Sequence, residues 1–233
     1  MGARPWGTRL SSDQPGTGFE LRRAIKIFGE RRLLDIDAHI FSAGVLHLIK
    51  GDNGVGKSTL LKMLAGLEKA ETLAFCFRRV IYSEAHYPDA LRREIVYVHQ
   101  HPYLFSTSVA ANIRYGLKLR KMPVPAREAA INEAIRWAGL ASVENVPPKR
   151  LSGGEKQRVA LARALVLNAP VMLIDEPTAN LDAKARDQVR VLLESLRADG
   201  RIVLIATHDP VLMTLPGAKI WYLTDGKLIP AAA

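Results

Sequence analysis

The sequence predicts an α/β protein whose parallel strands are buried on both faces and whose core carries an inserted helical lobe. Two observations point there. Short, continuous apolar runs at residues 171–174 and 202–206 alternate with helix-forming stretches, as strands covered by helices on both sides do. From residue 106 to about 150 that alternation stops. Two helical patterns, 108–120 and 127–139, stand alone there, parted by Pro123 and Pro125. With 233 residues, 48% hydrophobic and 24% charged, the chain can bury a proper core, and wholesale disorder is excluded.

Taken in order, residues 1–18 hold ten Gly, Pro, Ser or Thr and four apolar side chains. A flexible, cytosolic tail is expected there, since a signal peptide needs an apolar core. The folded domain is expected over 19–233. Residues 19–41 read as short strands around a turn at Gly29, 45–50 as a compact strand and 58–67 as a helix. Residues 72–100 contain β-rich pieces at 75–77 and 95–98, with Pro88 in a polar loop between them. The lone Cys76 excludes an internal disulfide framework and is expected to be a small buried hydrophobe. After the lobe come a helix over 152–168, the strand 171–174, a helix over 183–198 and the strand 202–207. No apolar run approaches the roughly 18 residues of a membrane-spanning helix. The net charge of +10 arises from scattered pairs such as Arg22-Arg23 and Arg92-Arg93, a pattern that by itself does not separate a solvated surface from a site for nucleic acid or an anionic membrane.

The first chemical signal is Gly51-Asp52-Asn53-Gly54-Val55-Gly56-Lys57-Ser58, followed by Thr59. It fits the phosphate-binding loop pattern G-x-x-x-x-G-K-[ST], between a strand and a helix. Its glycines let backbone N–H groups face phosphates, and the helix N-terminus adds its dipole. Lys57 is expected to reach the β- and γ-phosphates of a nucleotide, and Ser58 to coordinate Mg²⁺. Chance produces the pattern at roughly one position in 30,000, so a nucleotide site is the expectation. Residues 171–176 supply its complement. Four apolar residues make a buried strand, with Asp175 and Glu176 emerging at its C-terminal end, where α/β sites lie. Asp175 is expected to hold Mg²⁺ and Glu176 to act as general base toward the attacking water.

Leu151-Ser152-Gly153-Gly154-Glu155-Lys156-Gln157-Arg158 reads locally as a capping box, with Ser152 as N-cap and Glu155 three residues on. That reading leaves Gly153 and Gly154 unexplained, because glycine weakens a helix start unless a backbone must approach something closely. The stretch resembles the signature motif of ATP-binding cassette (ABC) ATPases. The resemblance runs from about residue 20 to 229 and implies a P-loop NTPase core with an antiparallel β subdomain and an inserted α-helical subdomain at about 106–150. It implies that Ser152, Gly153, Gly154 and Glu155 contact ATP held by a second copy. Gln100 resembles the Q-loop glutamine that approaches Mg²⁺ and the water, and His208 the H-loop histidine that contacts the γ-phosphate. Ala179-Asn180-Leu181-Asp182 resembles the D-loop that crosses a dimer interface. Phe28, 29 residues before Lys57, matches the aromatic that stacks on adenine, with core packing as its rival. Asp52 and Val55 depart from the usual loop residues but spare its glycines.

What the resemblance implies is an ATPase subunit of an importer-like transporter. Two copies would close head to tail on two ATP molecules with Mg²⁺ and drive separate integral membrane permease subunits, a solute-binding protein completing the complex. Its place would be peripheral, on the cytoplasmic face of the inner membrane. Tyr103-Leu104-Phe105 falls where such proteins receive a permease helix, with core packing as the rival. Residues 99–105 and 109–117 look similar to ATPases of tungstate- or molybdate-type oxyanion importers, and the chain ends where some relatives continue into a regulatory domain. The alternatives are a soluble ABC ATPase on ribosomes or nucleic acid, or one serving lipoprotein release or cell division. The single cassette and the 51 positions from Gln100 to Leu151 argue against ribosomal and chromosomal members, so no nucleic-acid partner is expected.

Overall fold

The structure, a computed structural model, describes residues 18–117, 122–179 and 181–231. The expected tail, apart from Gly18, lies outside the described residues, as do 118–120 of the first lobe helix and Asn180 of the D-loop-like stretch. The chain opens with β1 (Phe19–Phe28), β2 (Arg31–Ile36) and β3 (His39–Phe41), with the expected turn at Gly29. Then follow β4 (Val45–Lys50), α1 (Lys57–Leu64), β5 (Thr72–Phe77), β6 (Val80–Ser83) and β7 (Ile95–Val98). β1 lies between β2 and β5, β5 pairs β6, and β3 pairs β1, all antiparallel. Alternation along β5 sends Phe75 and Phe77 inward, and Phe19 stacks on Phe75 with ring centroids 4.7 Å apart. Cys76 therefore faces the other way and is half-buried, not the buried hydrophobe expected.

Between β7 and the signature stretch the chain runs through α2 (Val109–Tyr115) and α3 (Val124–Trp137). Ser108 caps α2 by accepting from the Ala111 N–H. Pro123 lies between the two helices as expected, as the N-cap of α3, whereas Pro125 falls inside the first turn of α3, where a missing N–H is no loss. The chain then forms α4 (Gly153–Leu165), β8 (Val171–Asp175), α5 (Ala183–Ala198), β9 (Ile202–Ala206), α6 (Pro210–Met213), β10 (Lys219–Thr224) and β11 (Lys227–Pro230). The second sheet has the order β11-β10-β4-β9-β8-β7, parallel except for β11.

This parallel sheet separates two apolar clusters, and its pleat decides which side chain joins which. Met172 and Ile174 of β8 point into a cluster with α2, α3, α4 and α5, while Val171 and Leu173 point into one with α1 and the antiparallel strands. Arg158 of α4 ties the helices together, donating to the carbonyls of Ala138 and Gly139 just past the end of α3 at 2.8 and 2.9 Å. Several polar side chains lie wholly inside, His47 among them. His47 on β4 is flanked by Phe41 and Trp221; its Nε2 faces the Ser42 carbonyl at 3.1 Å and its Nδ1 accepts from Trp221 Nε1 at 3.2 Å. Burial holds this imidazole neutral, its pKa pushed down to about 4.

Candidate nucleotide site

The parallel strands point their C-terminal ends at one rim, and the phosphate loop, Gln100, Glu176 and His208 gather there. β4 delivers the loop 51–56 and then α1, whose N-cap is Gly56 at φ 114°, ψ 10°. A Cβ on Gly56 would also stand 2.8 Å from the Leu34 side chain, so glycine is needed there twice over. Lys57 is buried, and its ammonium donates to the carbonyls of Gly51 and Asp52 at 2.7 and 3.1 Å across the mouth of the loop.

A cavity of about 330 Å³ brings Asn53, Gly54, Gly56, Lys57, Ser58 and Thr59 together with Gln100 from the end of β7, Glu176 from the end of β8 and His208 from the end of β9. These stretches are separated in sequence by up to 155 positions (208 − 53 = 155). Sheet order explains the meeting, since β4, β9, β8 and β7 lie side by side. Asn53, Val55 and His208 also border a wider opening of about 630 Å³ with Asp52, Lys50 and Tyr222.

The two carboxylates are held alike. Glu176 is buried at φ 41°, a backbone region costly for a residue with a side chain, and its N–H donates to the Ala206 carbonyl at 2.8 Å. Its Oε1 accepts from His208 Nδ1 at 2.9 Å, while Oε2 is buried and unpaired. Asp175, one residue earlier, is 4% exposed. Its Oδ2 accepts from the Tyr97 hydroxyl at 2.7 Å, while Oδ1 is buried and unpaired. Burial, with the Asp175 carboxylate adding, raises the Tyr97 phenol far above its ordinary range, so it remains a donor. Nothing in the sequence marks Tyr97, because its partner lies 78 residues away.

The signature residues stand elsewhere. Ser152, Gly153, Gly154 and Glu155 line neither opening. Their capping box is complete: Ser152 Oγ accepts from the Glu155 N–H at 3.2 Å, and Glu155 Oε2 accepts from the Ser152 N–H at 2.7 Å. That backbone donor holds the Glu155 carboxyl below its usual range. The two glycines have different reasons. A Cβ on Gly154 would lie 2.6 Å from the Ala185 Cβ of α5, so Gly154 serves close packing within the chain. A Cβ on Gly153 would meet nothing within 4 Å.

Phe28 ends β1 half-exposed, with the Lys26 ammonium 4.6 Å from its ring centre, which removes core packing as its explanation. It lines neither opening. Tyr103 is 74% exposed and Phe105 half-buried, while Leu104 packs on the helical cluster, so core packing accounts for Leu104 alone. Tyr103 and Phe105 border a groove of about 350 Å³ beside Gln100, whose wall includes Tyr115, His99 and Arg163. The Arg163 guanidinium lies 5.9 Å over the Phe105 ring and donates to the Tyr103 carbonyl at 2.9 Å. Asp182, as N-cap of α5, accepts from the Ala185 N–H.

Comparison with known proteins places these features. The family model described as ABC transporter matches residues 35–179. A sulfate/thiosulfate import ATP-binding protein of Thermosynechococcus vestitus is 38% identical over 197 residues, 82% of this chain and 57% of that protein. An oligosaccharides import ATP-binding protein of Bacillus subtilis is 38% identical over 196 residues, 83% of this chain and 53% of that one. A macrolide export ATP-binding/permease protein of Paracoccus denitrificans is 36% identical over 203 residues, 85% of this chain and 30% of that one. The chain thus spans little more than half the length of the two import relatives. Among solved structures, a dimeric ATP-binding cassette in a post-hydrolysis state with ADP and Pi superimposes with a TM-score of 0.79 at 31% identity, covering 90% of this chain and 96% of that one. With the phosphate loop, the signature helix and both carboxylates in one α/β frame, the chain belongs to the ABC transporter family, as one of its ATP-binding cassettes.

Proposed function

We propose that this cassette hydrolyses ATP as the motor subunit of an importer, two copies closing head to tail on two nucleotides. The observation that carries the reading is the pair of half-anchored carboxylates beside the phosphate loop. Each has one oxygen fixed by a donor and the other buried with nothing to accept from, a costly state unless a cation or a proton donor completes it. Ser58 and Gln100, which line the cavity, and Asp175, whose unpaired oxygen lies at the end of β8, offer the oxygen donors that suit Mg²⁺, a hard cation. When bound, that ion would neutralise charge on the β- and γ-phosphates.

The chain's own residues supply the rest. Lys57 and the N–H groups of 53–59 bind phosphate oxygens. His208 holds Glu176 in place, and Glu176 Oε2 takes the proton of the attacking water. Phe28, exposed beside its strand end, offers a ring face for adenine. Ser152 and Gly153, on an open helix N-terminus, are suited to a phosphate presented by a second copy. The dimeric solved relative supports that assembly.

No helix among the described residues is long and apolar enough to cross a membrane. The permease is proposed to be a separate chain because the two import relatives are named as ATP-binding proteins, whereas the macrolide export relative is named as an ATP-binding/permease protein. Its docking point is the aromatic groove of Tyr103, Phe105 and Tyr115, and the working place is the cytoplasmic face of the inner membrane. An oxyanion cargo of the tungstate, molybdate or sulfate kind, delivered by a solute-binding protein, is the proposed solute. The sulfate/thiosulfate relative supports it, while the equally similar oligosaccharide relative makes sugars the competitor.

The test pairs variants with co-purification. Lys57→Ala should lose nucleotide binding, whereas Glu176→Gln should bind ATP and hydrolyse it about 10²–10⁴ times more slowly. Hydrolysis at the parental rate in Glu176→Gln removes the proposed base. Isolation from native membranes should bring down a multi-span protein, and recovery of ribosomes or nucleic acid alone would overturn the transport reading.

A further inference from the structure

Tyr97 stands on β7, one strand away from Asp175, and the parallel register sets it opposite Leu173. Its hydroxyl reaches Asp175 Oδ2 at 2.7 Å, and its ring packs edge-on against the His99 imidazole, centroids 4.5 Å apart at 77°. A phenol offers its donor at the end of a rigid ring with two torsions, so the hydrogen bond fixes the carboxylate more firmly than a flexible side chain could. With Oδ2 tied down, the plane of the carboxylate is set and the unpaired Oδ1 has one direction to face. Resting on the reading of Asp175 as a Mg²⁺ residue, we propose that Tyr97 is a positioning residue that tunes the cation affinity of the site by orienting Asp175.

The experiment uses the full chain and Mn²⁺ as the probe, followed by electron paramagnetic resonance in the presence of ADP. Tyr97→Phe removes the hydroxyl and keeps the ring. The half-saturating Mn²⁺ concentration should rise roughly 10- to 100-fold, the usual effect of losing a partner that orients a metal ligand. Nucleotide affinity measured in EDTA should stay at the parental value, which a general loosening of the fold would not permit. Parental Mn²⁺ affinity in Tyr97→Phe overturns the proposal. In an Asp175→Asn background, the same substitution should add nothing, and a full effect there would show that the phenol acts elsewhere and overturn it too. Parental Mn²⁺ affinity in Asp175→Asn alone would instead refute the metal role of Asp175, so the two failures are distinguishable.

Discussion

Gly153 and Gly154 are neighbours in sequence, yet replacing each by alanine should have opposite consequences. At Gly154 the new methyl would sit 2.6 Å from the Ala185 Cβ, about 1 Å inside ordinary contact. The Ala185 methyl cannot rotate away because it is fixed to the backbone of α5, so one helix must move. Overpacking of this kind costs about 1–3 kcal/mol, which lowers the melting temperature of a chain this size by roughly 2–12 °C. At Gly153 the methyl meets nothing, and alanine is the better helix former, so Gly153→Ala should be neutral or stabilising by up to about 1 kcal/mol. Its damage should appear only when a second copy closes on that helix end. The assay is thermal unfolding of both variants beside ATP-dependent dimerisation by size exclusion in a Glu176→Gln background. Gly153→Ala should melt no lower than the parent yet fail to dimerise. Normal dimers from Gly153→Ala would refute the assignment of Gly153 to the interface, and an unshifted melting temperature in Gly154→Ala would refute the packing argument.

Acid should unfold the protein partly through His47. The folded imidazole titrates at about 4 against about 6.5 unfolded, so as pH falls the unfolded chain takes the proton first. This stability is present in full above pH 6.5, is lost between 6.5 and 4, and amounts to about 2 kcal/mol by pH 5. Urea unfolding at pH 7 and pH 5 should show that extra loss in the parent and not in His47→Gln; equal losses would refute it. The two-residue turn joining β5 and β6 places Arg78 at φ 51° and Arg79 at φ 65°, positions that favour Asn and Gly. Arg79→Gly should raise stability by about 1 kcal/mol, readable as a melting point higher by roughly 2–4 °C.

Residues whose chemistry is local were legible from the sequence. The phosphate loop, the Asp175-Glu176 strand end and the Ser152–Glu155 cap each fall within a few positions, and β4, β7 and α5 occupy the ranges read from their apolar pattern. The two last strands were not read. β10 mixes buried Leu223 with exposed Lys219 and Thr224 and partly buried Ile220 and Trp221, so no clean period of two marks it. Contacts between distant residues were equally hidden. Nothing near Gly154 names Ala185, and nothing near Asp175 names Tyr97. Burial reversed one local expectation, since strand alternation turned Cys76 away from the core, and decided another, since a strand end left Phe28 in the open and removed the rival core reading.

The central sheet acts as a bulkhead between two compartments. The phosphate loop is mounted through α1 on one compartment, while the signature helix α4 is mounted on the other, and Arg158 locks α3 to that second mounting. A rocking of the α3–α4 block therefore deforms packing on its own side first, and α1 is shielded by strands whose hydrogen bonds run the full width of the plate. The phosphate loop and the signature helix end, which the proposed head-to-tail dimer would bring to one nucleotide from different copies, can be tuned separately, as if they belonged to two proteins sharing a wall.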